Sequence, residues 1–183
     1  MIFNSQVGKC LLILLVLGVF TSSGFSQGAQ KNPVSLGEQV LEEPQLISSD
    51  SIVLLAQSLL GIPYVYGGAT PLAGFDCSGF VKYVYGYFGM DLPRTTSEIA
   101  GVGVEIPLDS CRQGDIIVFA GRNKETRPIG HVGIITSDLC EPVSFIHSAT
   151  SRNRGIVVSA FDKYDYYKNR LVKVVRLVDK LSY

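Results

Sequence analysis

The sequence predicts an α+β fold, with N-terminal helices packed on an antiparallel β-sheet of about five strands. Three observations carry this expectation. Apolar residues recur at helical spacing in the first half of the domain, then fall into short runs of roughly 4–8 residues in the second. Helices first and strands afterwards suit helices gathered on one face of an antiparallel sheet. Hydrophobic residues make up 46% of the 183 positions and charged residues 17%, enough apolar material for a core.

The elements follow in order. Ser49 and Asp50 are N-cap candidates for a helix over Ser51–Leu60, where Val53, Ala56, Leu59 and Leu60 keep near-helical spacing and Gly61 and Pro63 end the run. Tyr64–Phe75 is rich in turn residues. A second helix covers Cys77–Phe88, with Phe80, Val81, Val84, Tyr85 and Phe88 on one face, and Gly89 stops it. Thr95-Thr96-Ser97-Glu98 fits a capping box and opens a short third helix to about Gly101. From Gly114 the period changes. Asp115–Ala120, His131–Thr136, Ser144–Ala149, Gly155–Ala160 and Leu171–Val178 are β-prone runs separated by turn residues.

Two segments of different character precede this domain, which is set at residues 50–183. Residues 1–26 read as a secretory signal peptide: Lys9 gives a positive start, Cys10–Phe20 is an unbroken apolar run shorter than a membrane span, and Gly24 and Ser26 offer a small-residue cleavage site. Retention of the run as an anchor is the alternative, but no lasting membrane anchor is expected. Residues 27–49 are polar, interrupted by Pro33 and Pro44, and read as a linker. The protein is therefore expected in the periplasm or cell envelope, or secreted. Sixteen basic residues balance sixteen acidic ones, so net charge supplies no attraction to nucleic acid or to an anionic membrane. Export leaves Cys77, Cys111 and Cys140 where disulfides can form, and a Cys111–Cys140 bridge would leave Cys77 as the unpaired thiol.

The chain has two histidines, and their spacing is informative. His131 opens one expected strand and His147 lies within the next, with Ser137–Glu141 as a hairpin loop between them. If Thr136 faces Pro142, the two imidazoles are directly opposed, with Cβ atoms roughly 4.5–5.5 Å apart. A shift of two residues would make them diagonal neighbours. Cys77 is the second signal: Asp76 is a good N-cap, which puts Cys77 at the first helical position, where unpaired N–H groups and the helix dipole favour a thiolate. A cysteine with two histidines allows two chemistries. One is nucleophilic attack by Cys77, with one histidine as base and the other orienting it. The other is zinc held by Cys77, His131, His147 and Asp76, although no short-spaced ligand pair is present.

These residues sit in a recognisable series. Pro63-Tyr64-Val65-Tyr66-Gly67-Gly68, Phe75-Asp76-Cys77-Ser78-Gly79-Phe80-Val81, Leu92-Pro93-Arg94, Gly114-Asp115, Gly130-His131-Val132-Gly133-Ile134 and Ile146-His147-Ser148 occur in the order of the NlpC-type cell-wall cysteine peptidases. The resemblance runs from about Asp50 to Val178. It implies a papain-like domain, without metal or cofactor, acting on peptidoglycan stem or cross-link peptides at a D-Glu–diaminopimelate or D-Ala–diaminopimelate bond. It further implies Cys77 as nucleophile, His131 as base and acid, His147 as the orienting third residue, and Tyr64 as an oxyanion donor. Asp76, Ser78 and Arg94 are taken as substrate-binding, with helix capping as the other reading of Asp76 and a structural role as the other reading of Arg94. An amidase, an acyltransferase and a non-catalytic wall-binding domain are the alternatives on the same fold. Two departures stand out: Tyr66 replaces a frequent tryptophan, and Arg94-Thr95-Thr96 lacks the acidic residue of members that need a free amino terminus. The latter points to intact or cross-linked wall as substrate. Arg122, Lys124 and Arg127, just before His131, read as a solvated basic loop, with contact to substrate carboxylates as the alternative.

Overall fold

The protein is described by a computed structural model covering residues 47–123, 126, 128–150 and 155–177. The expected signal peptide and nearly all of the linker lie outside the described residues. The first helix, α1, spans Ser49–Ser58 and starts two residues earlier than expected, because Ser48 caps it by accepting from the Asp50 N–H at 3.1 Å. Helix α2 spans Cys77–Tyr87 with Asp76 as N-cap, and buries Phe80, Val81, Val84 and Tyr85. Helix α3, Thr96–Ile99, carries the capping box between Thr95 and Glu98.

A small ribbon of β1 (Ala69–Thr70) and β2 (Gly74–Phe75) leads into α2. The main sheet holds β3 (Val104–Ile106), β4 (Ile116–Ala120), β5 (Ile129–Ile135), β6 (Ser144–Ala149), β7 (Gly155–Ala160) and β8 (Leu171–Arg176). Their order is β3-β8-β4-β5-β6-β7, with every pair antiparallel. The α+β class and the five expected strands are observed. The sixth strand, β3, escaped the sequence reading because it is three residues long and largely exposed, so it shows no apolar run.

Side chains of successive strand residues serve two cores, as the pleat requires. Ile116, Val118, Val132, Ile134 and Ile146 face α1 and α2, whereas Ile117, Phe119, Ile135, Phe145 and Val174 form a second cluster on the other side of the sheet. Burial on both faces explains why β4 reads as a continuous apolar run instead of alternating. Tyr85 adds a polar anchor, donating its hydroxyl to the Gly114 carbonyl from a fully buried position.

Two irregularities position the site. The β4–β5 ladder pairs Phe119 with His131 but Ala120 with Ile129, leaving Gly130 as an extra residue immediately before His131. Such a bulge bends its strand and re-aims the neighbouring side chain. The β5–β6 ladder pairs Ile134 with Ile146 and Ile135 with Phe145, and the pairing goes no further toward His131. This register is offset by two from the directly opposed arrangement, so His131 and His147 are diagonal neighbours.

Candidate active site

Asp76 organises the start of α2. Its Oδ1 accepts from the Gly79 N–H at 2.7 Å, and its Oδ2 accepts from the Gly67 N–H at 3.0 Å. The Arg94 guanidinium donates to both oxygens at 3.1 and 2.6 Å and to the Ser78 hydroxyl at 2.9 Å. Burial opposes ionisation of Asp76, but the Arg94 fork and the two backbone donors outweigh it and hold the carboxyl below its ordinary range. Asp76, Ser78 and Arg94 thus bond to one another beside the nucleophile candidate, and none of the three lines the cleft described below. Backbone packs directly on backbone here: a β-carbon at Gly79 would lie 2.1 Å from the Gly68 carbonyl oxygen.

Cys77 follows as the first residue of α2 and is half-buried. Burial pushes its thiol pKa up, and the Asp76 charge adds to this. The Thr96 hydroxyl, 3.9 Å from Sγ, and the N–H groups of Val132 and Ser78 pull the other way without prevailing. The thiolate preference expected of a helix start is therefore outweighed by desolvation. Involvement of the Val132 N–H places the sulfur against the backbone next to His131.

The two histidines meet. His131 Nε2 and His147 Nδ1 are 2.8 Å apart, with the rings nearly perpendicular at 85°. Gly133 makes room for this meeting, since a β-carbon there would lie 3.1 Å from the His147 Cβ and 2.9 Å from the Ile146 carbonyl. His147 is 2% exposed, and its Nε2 lies 3.0 Å from the Ser159 hydroxyl and 3.4 Å from that of Tyr167. The two hydroxyls are themselves 3.3 Å apart. Phe119, Phe145 and Tyr167 pack around the two imidazoles. Burial lowers the pKa of His147 to about 4. Burial, then the neighbouring His147, then the charges of Arg170 and Arg122 hold His131 well below the ordinary 6.5. Both rings are neutral at pH 7.

Ser159 and Tyr167 were not singled out from sequence. Ser159 sits on β7 with an ordinary alternating neighbourhood, and Tyr167 is one of nine tyrosines. The available signal was register: β6 pairs His147 with Val157, which makes Ser159 a diagonal neighbour two residues further on.

Tyr64 lies beside Phe75 in a parallel bridge, fixed by the Val65 N–H on the Phe75 carbonyl and the Phe75 N–H on the Pro63 carbonyl, both at 3.1 Å. Burial raises the pKa of its phenol, followed by the fields of Cys77 and Asp76, and Arg122 lowers it slightly. Tyr64, Cys77, His131 and His147 all line one cleft of about 930 Å³. The zinc alternative needs ring nitrogens and carboxylate oxygens that instead face one another, Arg94 and backbone N–H groups. Among the described residues no group of three or more His, Cys, Asp or Glu is arranged to hold a metal ion. Nor does a disulfide join Cys111 to Cys140; Cys111 is a buried thiol whose pKa desolvation raises to about 11.

Known proteins resemble this chain in sequence and in fold. The model of the NlpC/P60 family matches residues 61–176. The probable endopeptidase NlpC of Escherichia coli is 37% identical over 136 residues, covering 69% of this chain and 80% of that protein. The gamma-DL-glutamyl hydrolase of Bacillus subtilis is 33% identical over 126 residues, 68% of this chain, and the chain spans only 28% of that relative's length. The murein DD-endopeptidase/LD-carboxypeptidase MepS of Escherichia coli is 31% identical over 121 residues, covering 66% of this chain and 58% of that protein. Among solved structures, an NlpC/P60 family protein from Bacillus cereus superposes with a TM-score of 0.64 at 24% identity, over 74% of this chain and 42% of that one, a likeness of fold. A second, from Staphylococcus aureus, gives 0.61 at 27% identity, over 75% and 44%.

Proposed function

Because the chain belongs to the NlpC/P60 family, we propose that it is a cysteine endopeptidase that hydrolyses peptide bonds in the stem or cross-link peptides of bacterial peptidoglycan. The observation that carries this reading is the 2.8 Å contact between His131 Nε2 and His147 Nδ1 in the cleft that also holds Cys77. A neutral His147 with its proton on Nε2, given to the Ser159 hydroxyl, presents a bare Nδ1. His131 then donates its Nε2–H to that nitrogen, which leaves His131 Nδ1 with a lone pair for the thiol proton.

The steps follow from those protonation states. With the thiol pKa raised and the imidazole pKa lowered, Cys77 stays protonated until attack. His131 takes the proton as the sulfur adds to the peptide carbonyl carbon. The oxyanion is met by the Cys77 N–H, which has no intrahelical partner at the first helical position, and by the Tyr64 hydroxyl. Collapse expels the amine, protonated by His131, and leaves a thioester on Cys77. Water, deprotonated by His131, releases the acid and restores the thiol. Asp76, Arg94 and Ser78 hold the start of α2 in place and act as positioning residues in this scheme.

Both candidate bonds, D-Glu–diaminopimelate and D-Ala–diaminopimelate, fit the activities by which the relatives are named, which include a gamma-DL-glutamyl hydrolase and a DD-endopeptidase. The leader at residues 1–26 supports action outside the cytoplasm after cleavage, and among the described residues no helix is long and apolar enough to cross a membrane. Digestion of purified peptidoglycan, with fragments identified by mass, tests the reading. Wild type should release fragments cut at one of the two peptide bonds, and fragments cut between sugar and peptide would replace it with an amidase.

A further inference from the structure

The charges around the cleft are one-sided. Arg122, Lys163 and Arg170 line it, and among the described residues no aspartate or glutamate does. Elsewhere five described cations are paired: Lys82 with Asp91, Arg94 with Asp76, Lys168 with Asp165, Lys173 with Glu105, and Arg176 with Asp115. Among the described residues, the cations that have no carboxylate partner are Arg112 and the three around this cleft. Those three are held in place by neutral groups. Arg122 donates to the Thr150 hydroxyl at 2.7 Å, Arg170 donates to the Ala120 carbonyl at 2.8 Å and stacks 4.5 Å over Tyr166, and Lys163 lies 5.5 Å over Tyr164. Each retains donors for a ligand. The charges of Arg122 and Arg170 act on His131, which fixes where this patch lies relative to the chemistry.

We infer that Arg122, Lys163 and Arg170 form a carboxylate subsite for the leaving-amine half of the substrate. The inference rests on the peptidase reading above. His131 hands its proton to the departing amine, so groups flanking His131 face the residue that carries that amine. In either candidate bond the amine belongs to diaminopimelate, which keeps a free carboxylate in the stem and in the cross-link. Guanidinium and ammonium donors meet such a group with charge-assisted hydrogen bonds, the stronger class. The subsite selects an acidic leaving half, and among the described residues no carboxylate of the protein's own competes for the same donors.

The test uses two peptides, L-Ala-γ-D-Glu-diaminopimelate-D-Ala and its cross-linked dimer, each with the diaminopimelate carboxylates free or converted into carboxamides. Binding is measured by calorimetry to the full-length Cys77→Ala protein, and KM is measured with the active enzyme. The free acids should bind at least about tenfold more tightly, a difference of roughly 1.4 kcal/mol, and the preference should shrink in high salt. Arg122→Gln and Lys163→Gln, both at exposed positions, should collapse that preference while circular dichroism stays native. Equal binding of acid and carboxamide by the Cys77→Ala protein overturns the subsite, whether or not the enzyme cuts either. Preferential binding without any cleavage by the active protein upholds the subsite and overturns the peptidase reading instead.

Discussion

The two walls of the cleft are held by opposite means. On the Cys77 wall a full ion pair fixes the start of α2, with the Arg94 side chain 39% exposed and that of Asp76 12% exposed. Within the histidine relay on the other wall no member carries a formal charge at neutral pH: two imidazoles and two hydroxyls pass hydrogen bonds along a line packed by Phe119 and Phe145. The difference teaches where each device works. An ion pair is tolerable where water reaches one partner and backbone N–H groups help the other. Behind an aromatic layer a charge is too costly, so orientation is left to neutral tautomers. Acid should therefore disturb one wall long before the other.

Removing the chemistry from either wall gives the largest effects. Cys77→Ala should lower fragment release by about 10³-fold or more while the urea unfolding midpoint stays near that of wild type. His131→Gln should lower it by about 10²–10⁴-fold. Undiminished release from the Cys77 variant would refute the mechanism outright.

Acidity then separates the walls. Between pH 6.5 and 4 an unfolded histidine takes up a proton that folded His147 refuses, so stability falls as pH drops through this window. The loss from His147 alone is about 3 kcal/mol, to be read as the extra destabilisation of wild type over His147→Gln in urea melts at pH 7 and 4. kcat/KM should stay level down to pH 6.5, because His131 is already neutral there. Alkylation of Cys77 by iodoacetamide should accelerate with pH to beyond 9, its thiol pKa being raised. A rate already at its plateau at pH 5 would instead mean a preformed thiolate.

The charged wall responds in another range. Asp76→Asn should cost about 1–3 kcal/mol at pH 7. Since the folded carboxyl titrates below 3.8, that difference persists through the histidine window and narrows only at lower pH. Smallest is Tyr167→Phe, expected to lower kcat/KM about two- to fivefold, because Ser159 at 3.0 Å is the nearer partner of His147 and Tyr167 at 3.4 Å the farther.

Much of this was legible in the chain. The α2 boundary followed from Asp76 and Gly89, and the capping box at Thr95 and Glu98 from residue type alone, because caps are local chemistry. The meeting of the histidines was readable to within a register shift, since a two-residue slip leaves both rings on the same face. What could not be read is set by tertiary burial. The upward displacement of the Cys77 thiol depends on burial outweighing the hydrogen bonds from Thr96 and Val132, and the Ser159–Tyr167 end of the relay depends on β7 and on a single turn, α4 (Asp165–Lys168), carrying Tyr167 to the sheet. The partnering of Asp76 by Arg94 joins residues 18 apart across all of α2 and the loop after it, a distance over which periodicity carries no information.

The contact of Gly79 with the Gly68 carbonyl also limits how this protein can be re-engineered. With no space for even a methyl group between the two segments, the strip bearing Tyr64 and the strip bearing Cys77 are welded into one piece. Libraries randomised at these glycines should return only glycine. New selectivity has to be sought on the opposite bank, among exposed side chains such as Val158, Tyr164 and Tyr166, where added bulk meets solvent.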